Sequence, residues 1–324
     1  MTKKLSYVLI GDPMAVAGTK TKKEPLLSGL WQWHLAFHKY GKKGDVRLIR
    51  RREELEEYDC VHVNMTGGNF ALLHQIRDEL GTSSDTKLVT NIDFDVGAWG
   101  RNWPYPTLLE KALQCADLVF HVEPIGASVL EHVLKRKVYC LPHPVDVHGL
   151  DAYKKINREP YVVNIYHRYY PDITTGYWCI RDLPLYSVLL GYIKGHVPAL
   201  PMYDQCFGYI PFLDAIEIMS KAKFGLDLFH GYNYGRVVVE FAALAVPCVC
   251  SETIDACHRL FPDLVVNPFD VKKANELFWK MIKDDDFYQD VFKRAYYAAD
   301  YYSQKACYER MVRALEDVKD ERKN

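Results

Sequence analysis

Residues 223–252 read KFGLDLFHGYNYGRVVVEFAALAVPCVCSE, and here a strand, a loop, a helix and a second strand follow one another at regular spacing. Residues 223–229 are a short apolar run closed by His230 and Gly231, and residues 246–250 are a second run that contains Pro247. Short runs without polar alternation belong to strands buried on both faces, the parallel strands of an α/β sheet. Between them Val238, Glu240, Phe241, Ala242 and Ala245 follow Gly235 at a helical pitch, with small residues where a helix lies close on a sheet. A helix that opens at a glycine, at the carboxyl end of a parallel strand, presents unpaired N–H groups to an anion with no Cβ in the way. Glu240 lies about 7.5 Å further along the axis, at 1.5 Å per residue. That distance suits a carboxylate holding a ribose whose phosphates sit at the helix entrance. The same strand-helix-strand unit also occurs in folds that bind no nucleotide.

The 324 residues suffice for two domains, and with 49% apolar and 26% charged residues the chain is folded rather than fibrous or disordered. A net charge of -1 argues against a dedicated nucleic-acid binder. Nine cysteines without a CxxC read as buried free thiols in a reducing compartment, with a zinc site as the minor alternative. The opening MTKKLSYVLIGDP reads as a first strand rather than a signal peptide, and no stretch reaches the roughly 18 apolar residues of a membrane span. A cytoplasmic protein, soluble or peripheral at a membrane surface, is expected.

After the first strand come a loop over 12–25 and an aromatic helix over 26–41. Trp31, Trp33 and Phe37 form either a membrane-facing stripe, helped by Lys39, Lys42, Lys43 and the basic run 50–52, or a face packed on the sheet. Strand-like runs at 59–65, 87–94, 116–122 and 137–141 alternate with helical patterns at 70–80, 108–114 and 127–134, which predicts a doubly wound parallel sheet. Ligands sit at the carboxyl ends of such strands. There Gly67 and Gly68 permit close approach to a ligand or make a tight turn, and Asn91-Ile92-Asp93-Phe94-Asp95 places two carboxylates. Residues 146–160 read as a linker, and a strand ending in His167 and Arg168 opens the second half, with Arg168 suited to a phosphate. A helix over 212–222, a strand over 263–267, a helix over 271–282 and one or two helices over 286–318 complete the pattern.

The segment YNYGRVVVEFAALAVPCVCSE resembles the donor-binding segment of GT-B glycosyltransferases, in particular retaining glycosyltransferase family 4, with Gly235, Glu240, Ala242, Pro247 and Val249 at the matching positions. The family carries a further glutamate where this chain has Tyr232. Ala116, Asp117, Val119 and Val122, then Leu141, Pro142, His143, Val145 and Asp146, resemble the stretch that ends the family's first domain, with Pro144 in place of a glycine. Tyr302-Ser303 resembles the start of its final helix. The resemblance implies an α/β GT-B fold: two Rossmann-like doubly wound parallel-sheet domains facing each other across a cleft. Residues 1–150 would form the acceptor domain, completed by a helix at about 300–324, and residues 151–299 the donor domain. It implies transfer of a sugar from a UDP- or GDP-sugar to a glycan, lipid or small-molecule acceptor, with retention and without metal or other cofactor.

The resemblance also assigns roles. Arg168, with Gly235 and Arg236 at the helix entrance, would meet the diphosphate, with Arg181 standing in for a family lysine. Glu240 would hold the ribose, and Tyr232 would lie by the sugar. Gly18 would line the first loop. Asp93 and Asp95 stand where the family often has a His-Asp pair. The rivals are an inactive nucleotide-binding GT-B protein, a GT-B enzyme acting on DNA, and a sugar-nucleotide epimerase.

Overall fold

The structure, a computed structural model, describes residues 4–11, 29–65, 69–93, 106–166, 173–191, 202–208 and 210–321. Gly18, Gly67, Gly68, Asp95, His167 and Arg168 lie outside them. Two compact units divide the chain, Met1–Val145 with Tyr302–Asn324, and Asp146–Tyr301.

In the first unit, β1 (Ser6–Ile10) is buried at every position, as a strand covered on both faces must be. It pairs in parallel with β2 (Lys43–Arg47) on one side and β3 (Cys60–Asn64) on the other. With β4 (Lys87–Ile92), β5 (Leu118–His121) and β6 (Tyr139–Cys140) the order is β2-β1-β3-β4-β5-β6, all parallel. Winding reverses between β1 and β3, so their carboxyl ends flank the switch point where open α/β sheets bind ligands. Helices α1 (Gln32–Tyr40), α2 (Arg52–Leu55), α3 (Phe70–Leu80), α4 (Pro106–Gln114) and α5 (Pro124–Leu134) connect the strands. Alternation along β1 sends Val8 and Ile10 into a core with Leu73, Ile76, Leu113 and Leu130, and Tyr7 and Leu9 into a core with Trp33, Phe37 and Phe120 on the other face.

That second core decides the aromatic helix. Trp33 and Phe37 are fully buried, with Phe37 stacked on Tyr7 at 4.5 Å between ring centroids, so the packed reading holds and the membrane-facing stripe does not. Lys43, read with the basic turns, stands instead in β2, where it pairs with Asp45 at 3.1 Å.

The second unit holds β7 (Glu159–Tyr166), β8 (Tyr186–Gly191), β9 (Gln205–Phe207), β10 (Ala222–Asp227), β11 (Cys248–Ser251) and β12 (Val265–Val266) in the parallel order β12-β11-β10-β7-β8-β9. Here the switch point falls between β7 and β10. Its helices are α6 (Ile173–Ile180), α7 (Phe212–Lys221), α8 (Arg236–Ala243), α9 (Asp255–Leu260), α10 (Val271–Lys283) and α11 (Asp285–Ala298). Asp284 ends α10 and caps α11 by accepting the Phe287 N–H at 2.9 Å. The last helix, α12 (Gln304–Glu321), belongs to the first unit, where Met311, Val312 and Leu315 close the core around Trp33. Gly225 in β10 lets Phe241 of α8 lie on the strand; a Cβ there would meet the ring at 2.8 Å.

The cysteine expectation needs correction. Cys250 and Cys257 form a disulfide between β11 and α9, and Cys140 is an exposed thiol, because strand β6 lies at the sheet border. Among the described residues no cluster of His, Cys, Asp or Glu could hold a metal ion, and no helix is long and apolar enough to cross a membrane.

Candidate functional site

The chain leaves β10 at Asp227, a buried carboxylate whose Oδ1 accepts the Phe229 N–H at 3.2 Å. The loop that follows is tied to the turn after β11. Thr253 Oγ1 donates to the Phe229 carbonyl at 2.6 Å, Asn233 N–H to the Thr253 carbonyl at 3.3 Å, Asp255 N–H to the Asn233 carbonyl at 2.9 Å, and Ala256 N–H to the Tyr234 carbonyl at 3.0 Å. These bonds hold Gly235 at φ 83°, ψ 56°, the left-handed region, with Ile254 Cγ2 at 2.2 Å from where a Cβ would stand. Only glycine fits there without strain. Helix α8 starts at the next residue, with no side chain capping it and no acid in its first turn. Its first N–H groups lie at the carboxyl edge beside the switch point, a helix start of the kind that suits an anion.

Glu240 is 3% exposed, and Arg236 Nε lies 3.1 Å from its Oε1. Burial pushes the Glu240 carboxyl above its ordinary range, against the pull of Arg236. Arg236 is thus turned along its own helix, its guanidinium 5.9 Å from the centre of the Phe212 ring. Tyr232 is 45% exposed. Gly235, Arg236 and Glu240 therefore share one helix turn and a half, while Arg181 pairs with its neighbour Asp182 at 3.4 Å.

A second polar centre lies in the first unit, and most of it was not read as functional from sequence. Asp93, just past β4, is reached by two chains of side chains. Tyr7 Oη lies 2.5 Å from His62 Nδ1, His62 Nε2 lies 2.6 Å from Asn91 Oδ1, and Asn91 Nδ2 donates to Asp93 Oδ1. From the other side Trp33 Nε1–H donates to His143 Nδ1 at 2.9 Å, and His143 Nε2 lies 2.9 Å from Asp93 Oδ1. Tyr7, Trp33, His62 and Asn91 are fully buried and His143 nearly so, whereas the Asp93 side chain keeps 24% of its surface exposed. Burial works to raise the Asp93 carboxyl, but attraction to His143, the hydrogen bond from it, and the nearby His62 and His121 hold it below the ordinary range. Burial brings the His62 imidazolium down to about 4, so this ring is neutral at pH 7. A histidine does stand beside Asp93, but it is His143, from the stretch read only as a domain boundary. The signal was present in Leu141-Pro142-His143: a histidine at the carboxyl end of the next strand but one.

No family model matches the chain, and no curated protein matches it. Solved structures do. An α-glucosyltransferase in complex with UDP and a 13-mer DNA containing an HMU base is 13% identical with TM-score 0.65, over 97% of this chain and 100% of that one. HepE of Anabaena in complex with UDP-glucose is 12% identical with TM-score 0.66, again over 97% and 100%. The trehalose-6-phosphate synthase structure from E. coli bound with UDP-2-fluoro glucose is 10% identical with TM-score 0.66, over 96% and 99%. Two Rossmann-like units, each a six-stranded parallel sheet with its helices, matched over almost their full length by these glycosyltransferase structures, show that the chain has the GT-B fold.

Proposed function

We propose that this chain is a glycosyltransferase of the retaining type its sequence resembles, moving a sugar from a nucleotide sugar to a hydroxyl-bearing acceptor without a bound metal. The observation that carries the reading is the uncapped start of α8 at a left-handed Gly235, beside the switch point of the second sheet. It is supported by the similar structures that hold UDP or UDP-glucose in this fold. The N–H groups at Gly235 and Arg236, with Arg168 two residues past β7, meet the charge that develops on the departing diphosphate. Glu240 takes the ribose hydroxyls, and Tyr232 lies by the sugar. Asp93 of the first unit takes the acceptor, and Asp95 and Gly18, outside the described residues, are further acceptor-side candidates by sequence.

A panel of UDP-, GDP- and ADP-sugars tests this, read by thermal stabilisation and by release of the nucleoside diphosphate. One nucleotide is expected to stabilise the protein by about 2.7 kcal/mol at a hundredfold excess over its Kd, with slow hydrolysis of one sugar. The Arg168→Ala variant should lose turnover more than affinity; equal losses would assign Arg168 to ground-state binding alone. Tyr232 in the place of the family's first glutamate favours a second reading, a nucleotide-binding protein without turnover. Stabilisation without release, with every acceptor class supplied, would establish it.

A further inference from the structure

The direction of each hydrogen bond around Asp93 follows from donor chemistry. An indole nitrogen can only donate. Trp33 Nε1–H therefore makes His143 Nδ1 an acceptor, and the ring proton of the neutral imidazole is placed on Nε2, 2.9 Å from the Asp93 carboxylate. On the other arm Asn91 Nδ2 donates to Asp93, so its Oδ1 accepts from His62 Nε2–H and leaves His62 Nδ1 to accept the Tyr7 hydroxyl proton. Asn91 Nδ2 donates to Asp93 directly, and His143 Nε2 stands at ion-pair distance from the same oxygen. Chains oriented this way polarise one another. Both arms end on Oδ1, and the carboxylate retains an exposed face at the carboxyl edge of its sheet.

We propose that Trp33 and His143 are positioning residues for acceptor binding: the indole N–H fixes the His143 tautomer, and that tautomer fixes the Asp93 carboxylate so that its exposed face takes a hydroxyl group of the acceptor. The assignment rests on the glycosyltransferase reading for its role, but its geometry belongs to the first unit alone. A neutral hydroxyl suits the arrangement. Asp93 already has its donors on one oxygen, and a hydroxyl proton completes the other without a second buried charge.

Histidine side-chain NMR at neutral pH tests the geometry without any ligand. In the wild-type protein His143 is expected as the pure Nε2–H tautomer; in Trp33→Phe the two ring nitrogens should move toward averaged shifts. A wild-type ring protonated on Nδ1, or a pure Nε2–H tautomer that survives Trp33→Phe, would overturn the proposal. Should Trp33→Phe fail to fold, His143→Gln and His143→Leu decide. A glutamine accepts from Trp33 with its carbonyl and donates to Asp93 with its amide, as the neutral histidine does. The Asp93 carboxyl, followed by its carbon signal through an acid titration, is expected to keep its low midpoint in the glutamine variant and to rise in the leucine variant. A midpoint equally low in both would remove His143 from the role. UDP release from UDP-glucose, with water as acceptor, is read in parallel: it should persist in His143→Gln and fall in His143→Leu, and equal release in both would overturn the positioning role. If the wild type releases no nucleotide from any sugar while the NMR results stand, the glycosyltransferase reading fails and the positioning of Asp93 does not.

Discussion

Gly235→Ala is expected to destabilise the second unit by roughly 2–5 kcal/mol and to abolish nucleotide binding. An alanine in the left-handed region costs about 1–2 kcal/mol. Its methyl group would also meet Ile254 Cγ2, itself fully buried, and forcing an extra methyl into a packed site adds about 1–3 kcal/mol. Relief by rotating the backbone would break the ties from Asn233 and Tyr234 to the turn after β11, the same ties that aim the α8 N–H groups. Denaturant unfolding checks the stability term, with a shifted midpoint and an unchanged slope as the expected signature. A variant as stable as wild type would mean that the left-handed turn is not what holds the loop.

Glu240→Ala carries the second large effect, a loss of nucleotide affinity of about 1.5–3 kcal/mol, the range for hydrogen bonds to a charged group. Titration calorimetry with the stabilising nucleotide measures it, and unchanged affinity would take Glu240 out of the site. The uncharged isostere separates binding from folding. Because burial raises the Glu240 carboxyl in the folded chain, the folded state holds its proton to higher pH than the unfolded chain does. Its contribution to stability is therefore present below the unfolded value, about 4.3, and lost as pH rises through the folded one. Relative to wild type, Glu240→Gln should gain melting temperature as pH rises above the unfolded value, about 4.3. A difference that does not change with pH would show that Arg236 fully compensates the buried charge.

What was legible in the sequence followed from strong periodicity. The helix over 70–80 and the unit at 223–252 were readable because apolar spacing, a glycine at the helix start and flanking turn residues all agree. Strand β2, KGDVR, was not, because only Val46 among its residues is a large apolar one; its place at the sheet border depends on pairing with β1 rather than on burial. Strands β8 and β9 were missed as well. β9 has three residues at the opposite border of the other sheet, where a strand is held by one neighbour. The arrangement of Gly235, Arg236 and Glu240 on one helix start could be read because they sit within six residues of one another. The centre around Asp93 could be named only in part. Its members come from α1, from within β1, β3 and β4, from the residue after β4 and from the segment after β6, and parallel crossovers bring together residues as far apart as Tyr7 and His143. No local spacing reports such a set. The disulfide between Cys250 and Cys257 escaped for a related reason: Cys257 comes beside β11 only because α9 folds back after a tight turn.

The most direct measurement is amide hydrogen exchange on the full chain with and without UDP-glucose, resolved over peptides covering residues 223–252. Ligand seated on the start of α8 is predicted to slow exchange in the peptides covering residues 228–240, and to leave those of α4 and α5 in the first unit unchanged. Binding with protection elsewhere, and none at Gly235, would contradict the account of the donor site.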